Sequence, residues 1–177
     1  MATANTKYGS VTSFAITNVS QADQSIYLSA VITNAVTLAL DYQISGLLTV
    51  GAAVATGDMY IVLYSYDGNN YSYPATGSNL AITTLPRAAY TGLDAMRYGD
   101  VLPGTELVFG CKVPMRGLPL ATAVGIQSFN ISQAFNAGGL NPPLQFGIGT
   151  INMQGQALDA TQSHNILYYA AITQTIA

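Results

Sequence analysis

Met59-Tyr-Ile-Val-Leu-Tyr-Ser-Tyr66 runs into Asp67-Gly68 and returns through Tyr71-Ser-Tyr73. Eight residues of β-branched and aromatic character, closed by an Asp-Gly pair, are a β-strand followed by a hairpin turn. Glycine suits the turn because tight hairpins need positive φ, which a residue without Cβ adopts freely. Pro74 then ends the return strand or keeps it at a sheet edge. Tyr64, Tyr66, Tyr71 and Tyr73 flank the turn and are expected to form an aromatic patch on one face of the ribbon.

The same grammar extends in both directions. Val11–Thr17, Ile26–Thr33, Val36–Val50 with a break near Ser45-Gly46, Thr105–Val113, Val124–Phe135, Leu144–Met153 and Asn165–Thr175 all read as strands. The run 29–40 also fits an amphipathic helix by period, but Val31, Ile32, Thr33, Val36 and Thr37 are stiff at χ1 and favour a strand. Gly (17) and Pro (7) punctuate the chain, and Glu106 is its single glutamate, so helix-forming stretches are scarce. Nine or ten strands separated by such turns predict an all-β, two-sheet β-sandwich, with a jelly roll as the first choice. The 177 residues are read as one domain, 1–177, in which 87–104 is a long loop holding a short helical turn.

Charge is the outlying quantity. Only 7% of residues are charged, against about 25% in an ordinary soluble domain. Half the chain is hydrophobic, and the polar remainder is mostly Thr, Ser, Asn, Gln and Gly. Such a surface is either neutral and polar or covered by other subunits, and association is expected, with a homotrimer favoured. Five basic residues and a net charge of −3 offer no stripe for phosphates, so nucleic acid is not an expected partner. The uncharged run Gly117–Leu158 is broken by Pro119, Pro142, Pro143 and several glycines, and no spanning helix is expected. Residues 1–8 contain no apolar core of a signal peptide, so synthesis in a cytoplasm is expected.

Residues for catalysis are sparse. His164 follows Asp159 in a turn and reads as a loop residue, since no nucleophile can be paired with it. Cys111 reads as a buried, inert thiol, because Lys112 beside it on a strand points to the other face. Asp94, Asp100 and Glu106 could supply a glycosidase pair, but they read as part of a solvated loop. Asp67-Gly-Asn69 opens like a calcium loop and then lacks the later ligands. No catalytic residue, metal or cofactor is expected. Seven of the thirteen charges fall between residues 87 and 116. Within that stretch Arg87, Asp94, Arg97 and Asp100 are the expected partner contacts, a long connection in a compact domain often being functional.

Gly57-Asp58-Met-Tyr-Ile-Val-Leu-Tyr-Ser-Tyr-Asp67-Gly68, with Tyr71, resembles small virion structural proteins of tailed bacteriophages. Phe146-Gly-Ile-Gly-Thr-Ile-Asn-Met-Gln-Gly155-Gln-Ala-Leu158, followed by Ile166-Leu-Tyr-Tyr169, is similar to theirs as well. The resemblance covers about half of the chain. It implies a β-sandwich or jelly-roll module that decorates or cements a capsid, or belongs to a tail. The implied partner is the major capsid protein or another virion protein, and the implied location is the virion. It carries over no catalytic residues. The alternative expectation is a carbohydrate- or receptor-binding tail module, motivated by the four tyrosines beside Asp67, Asn69 and Asn70.

Overall fold

The computed structural model describes residues 4–15, 25–34, 39–51, 53–66, 90–137 and 143–176. Their strands form two antiparallel sheets packed face to face. The four-stranded sheet holds β1 (Ala4–Ala15), β4 (Asp41–Thr49), β7 (Ala123–Asn130) and β9 (Ile166–Ile176), in the order β1-β9-β4-β7. The second holds β2 (Ser25–Leu28), β3 (Ile32–Thr33), β5 (Met59–Ser65), β6 (Val108–Val113) and β8 (Gln145–Asn152). Its order is β2-β8-β5-β6, with β3 also paired to β8. The all-β two-sheet sandwich predicted from the sequence is the observed architecture.

Ile26–Thr33, expected as one strand, is interrupted. Ser29 Oγ accepts the N–H of Ile148 at 3.0 Å, taking the place of a backbone carbonyl in the ladder. The chain steps out at Ala30-Val31 and rejoins β8 as β3, opposite Phe146. A second correction concerns 124–135, expected as one alternating strand. Strand β7 stops at Asn130 and helix α1 (Ile131–Ala137) follows. Asp41 of β4 makes the change possible: its Oδ1 accepts the N–H of Ser132 at 3.0 Å, and its Oδ2 accepts the Ser132 hydroxyl. A carboxylate on the first turn satisfies donors that the helix leaves unpaired and complements its dipole. Ile131, Ala134 and Phe135 are buried at helical spacing.

Alternation in β5 assigns its two faces. Met59, Ile61 and Leu63 pack between the sheets with Ile44, Leu48, Phe146, Ile148 and Leu167. Tyr60, Val62 and Tyr64 point to the other side of their sheet, where Leu93, Leu102 and Leu107 cover them. The described part of the connection from β5 to β6, residues 90–107, thus forms a third layer, and Leu93, Leu102 and Leu107 are 0 to 3% exposed. The solvent-reaching loop expected over 87–104 is, in its described part, seated on the sheet.

That layer corrects the reading of Tyr64. It is fully buried, and its hydroxyl donates to the Ser29 carbonyl. Gly147 lies directly opposite in β8, and a Cβ there would sit 2.0 Å from the Tyr64 ring. Glycine is required so that the ring can cross β8 to reach Ser29. Tyr66 is half-buried and pairs its N–H with Gln145 at 3.0 Å. Tyr71, Tyr73 and the Asp67-Gly68 turn lie outside the described residues. The aromatic surface patch therefore loses Tyr64 to the interior.

Candidate partner-binding surface

The outer end of the five-stranded sheet gathers four ionised side chains from three segments. Asp58 stands just before β5, and Lys112 lies on β6 opposite Tyr60. Arg116 follows β6 by three residues, and Asp94 descends from the 3-10 turn Leu93–Ala95 of the covering layer. Lys112 Nζ lies 2.9 Å from Asp58 Oδ2 and 2.5 Å from Asp94 Oδ1. Arg116 stands farther off, at 3.5 Å from Asp94 and 3.8 Å from Asp58. The Tyr60 hydroxyl donates to Asp94 Oδ1 at 2.8 Å. Two carboxylates and two cations make the node formally neutral.

Asp58 is its anchor. The side chain is 4% exposed, and Oδ1 accepts the N–H groups of Met115 at 2.8 Å and Arg116 at 2.9 Å. Burial pushes its pKa up, but the Arg116 N–H, the Lys112 ammonium and the Met115 N–H outweigh burial and hold it below the ordinary value. Lys112 and Tyr60 hold the Asp94 carboxyl low, against a smaller opposing effect of burial. Asp94 and Asp58 in turn raise the Lys112 ammonium. Burial and then Asp94 push the Tyr60 phenol well above its usual range. A glycosidase acid must stay protonated near neutral pH. Both node carboxyls are tuned the other way, which suits neither to the part of that acid.

Beside the node a hollow of about 300 Å³ opens, lined by Thr56, Tyr60, Tyr90, Asp94, Arg116 and Met153. Three of the four expected contact residues border this region or continue from it along the chain. Asp94 is in the node, with 55% of its side chain exposed. Arg97 and Asp100 are exposed and close a turn, the Arg97 N–H donating to Asp100 Oδ2 at 2.7 Å. Arg87 lies outside the described residues. Sequence reading did not single out Asp58 or Tyr60, and took Lys112 and Arg116 only as members of the charged stretch 87–116. The spacing of Lys112 and Arg116 at the end of one strand was the available signal, but the partner carboxylates come from 18 to 58 residues away.

Cys111 packs against the inter-sheet core, and burial alone pushes its thiol up to about 12. Thiolate, the reactive form, is therefore scarce near neutrality. At pH 8 an aromatic disulfide reagent should label native protein at least ten-fold more slowly than urea-unfolded protein. Equal rates would show the thiol to be open. His164 Nδ1 lies 3.0 Å from Asp159 Oδ1, and half of the imidazole is exposed. Asp159 also accepts the Thr161 N–H at 2.8 Å, and the Asn165 side chain donates to its carbonyl. These bonds fix the turn that delivers Asn165 to the N–H of Thr49.

Comparison with protein-family models, curated proteins and solved structures finds no match.

Proposed function

We propose that this chain is a non-enzymatic virion structural protein, a capsid decoration or cement module that binds and stabilises the shell of a major capsid protein. The observation that carries the reading is the strand order. Taking β2 and β3 as one interrupted strand leaves eight, and each sheet interleaves early and late strands: first, last, third and sixth against second, seventh, fourth and fifth. That interleaving supports a jelly roll, a fold that recurs in viral capsid and lectin domains. Low charge supports a life in an assembly, since neighbours can cover such a surface with little desolvation of ions. We place the shell contact on the exposed turn holding Arg97 and Asp100, next to the node.

Cosedimentation with purified shells of a major capsid protein tests both parts. Wild-type protein should pellet with shells and saturate. Reversing Arg97→Glu together with Asp100→Arg should weaken binding at least ten-fold and lower the circular dichroism melt only by the few degrees that the lost Arg97 N–H to Asp100 bond accounts for. Point changes are preferable to deleting 91–98, because Leu93 in that stretch seals the sheet. Absence of cosedimentation would refute the shell reading, and full binding by the reversed variant would refute the assigned contact.

A further inference from the structure

The hollow beside the node combines an apolar wall with polar groups that folding leaves partly unused. Thr56 borders it from the segment before β5, Tyr90 and Asp94 from the covering layer, Arg116 from the end of β6 and Met153 from the end of β8. Its volume of about 300 Å³ is at the small end of the range for pockets that hold small molecules. Gly57 lets two of these segments meet at the lining, since a Cβ there would lie 2.0 Å from the Met153 carbonyl oxygen. Tyr90 and Met153 are partly buried, so each keeps some apolar surface open.

The two ionised groups at its border are unevenly paired. Asp94 Oδ1 has two close partners, the Tyr60 hydroxyl at 2.8 Å and Lys112 Nζ at 2.5 Å. Asp94 Oδ2 has Arg116 Nη2 at 3.5 Å, longer than a good N–H···O bond of about 2.7–3.2 Å. A guanidinium carries several N–H donors in a fixed fork, and that of Arg116 has only this contact and a longer one, 3.8 Å, to Asp58. The Arg116 side chain is 61% exposed. Both residues are nevertheless held in place. Asp58 accepts the Arg116 backbone N–H at 2.9 Å, and Tyr60 and Lys112 fix the Asp94 carboxylate. An acceptor and a donor thus stand side by side with bonding capacity to spare, and neither must abandon a close partner to use it.

We propose that the hollow is a binding site for one neutral sugar ring, a hexopyranose residue, held by Asp94 and Arg116. A hydroxyl both donates and accepts, so of two adjacent ring hydroxyls one donates to Asp94 Oδ2 while its neighbour accepts from the guanidinium. Hydrogen bonds to charged groups are the stronger kind. The C–H face of the ring packs on Tyr90 and Met153, as apolar pocket walls receive the apolar side of a ligand. An ionised ligand fits less well. The node already balances two carboxylates with two cations, so an added charge would be desolvated without gaining an unpaired counter-ion. Tyr60 and Tyr90 line this site, and neither belongs to the 64–73 ribbon on which sugar binding was expected. The inference rests on the hollow's own groups and does not depend on the virion reading.

Titration of the nitrogen-15-labelled full chain, without shells, decides it. The probes are glucose, galactose, mannose and N-acetylglucosamine, each added separately and followed by amide and Arg116 Nε–H shifts. At least one should saturate in the millimolar range and move Tyr90, Asp94 and Arg116 together. Arg116→Met should weaken that sugar about ten-fold or more, the loss of a hydrogen bond to a charged group. Its melt should fall by a few degrees at most, since the guanidinium is exposed and loosely paired. Asp94→Asn, which keeps an oxygen for Tyr60 and Lys112, should weaken the same sugar as well. Lys7→Gln, on β1 of the other sheet, should bind like wild type. Failure of all four sugars to move the hollow's residues would overturn the proposal. So would a sugar indifferent to Arg116→Met and Asp94→Asn, or shifts at the hollow from acetate, methylammonium or alanine where no sugar gives any.

Discussion

Gly147→Val is expected to yield no stably folded protein. A Cβ at this position would lie 2.0 to 2.2 Å from three atoms of the Tyr64 ring, well inside contact distance. Neither side can give way. Gly147 sits on β8, which is paired on both edges, and Tyr64 is sealed beneath Leu93 and Leu102 with its hydroxyl held by Ser29. Overpacking of a closed core commonly costs 1–3 kcal/mol, and a clash of ring against backbone in a central strand should exceed about 4. Gly147→Ala is the measurable form, with a urea midpoint well below wild type. Adding Tyr64→Leu should then restore part of the loss, giving a favourable coupling on the order of 1–3 kcal/mol. Simple additivity of the two changes would show that the ring is not the obstacle.

Asp58→Ala is the second large effect. It removes the acceptor for the Met115 and Arg116 N–H groups and strands Lys112 and Arg116 without their buried counter-ion. Lys112 and Arg116 are part-exposed and keep Asp94 beside them, so the loss is mainly that of the two N–H acceptors, on the order of 1–3 kcal/mol each. Asp58→Asn keeps an oxygen for the two N–H groups and should cost clearly less. Equal midpoints for Ala and Asn would show that the backbone bonds contribute nothing.

The node also predicts a pH dependence. Asp58 and Asp94 have lower pKa values folded than unfolded, so the unfolded chain takes up protons first as pH drops. Their contribution is complete above the unfolded carboxylate value of about 3.9 and fades as pH falls through the folded values. Lys112 is shifted upward, so its share is complete below about 10.4 and fades as pH rises through its folded value. Between pH 5 and 3 the wild-type urea midpoint should fall more steeply than that of Asp58→Asn with Asp94→Asn. Parallel slopes would remove the node from acid sensitivity.

These residues mark the boundary of what local sequence reveals. The strand expected at 59–66, observed as β5 (Met59–Ser65), was legible because its period and its β-branched content agree. The break at Ser29 was not, because a serine hydroxyl that replaces a carbonyl looks like any strand serine. Helix α1 is seven residues long, and the carboxylate that caps it comes from 91 residues earlier. For Tyr64 the alternation gave the correct side of the strand and hid its burial, because Leu93 and Leu102 arrive from beyond residue 90. The node was hidden for the same reason: each charge is unremarkable locally, and only folding brings them within 4 Å of one another.

Pairing of β1 with β9 has a consequence for biosynthesis. The strand at 4–15 finds its partner at 166–176, and β2 waits for residues 149–152. During translation these early segments must remain unpaired until the distant strands that complete them have been made. Fold completion is therefore a late, slow event. Until those partners emerge, the adhesive early strands are open to misassembly, and protection by a chaperone would raise the yield.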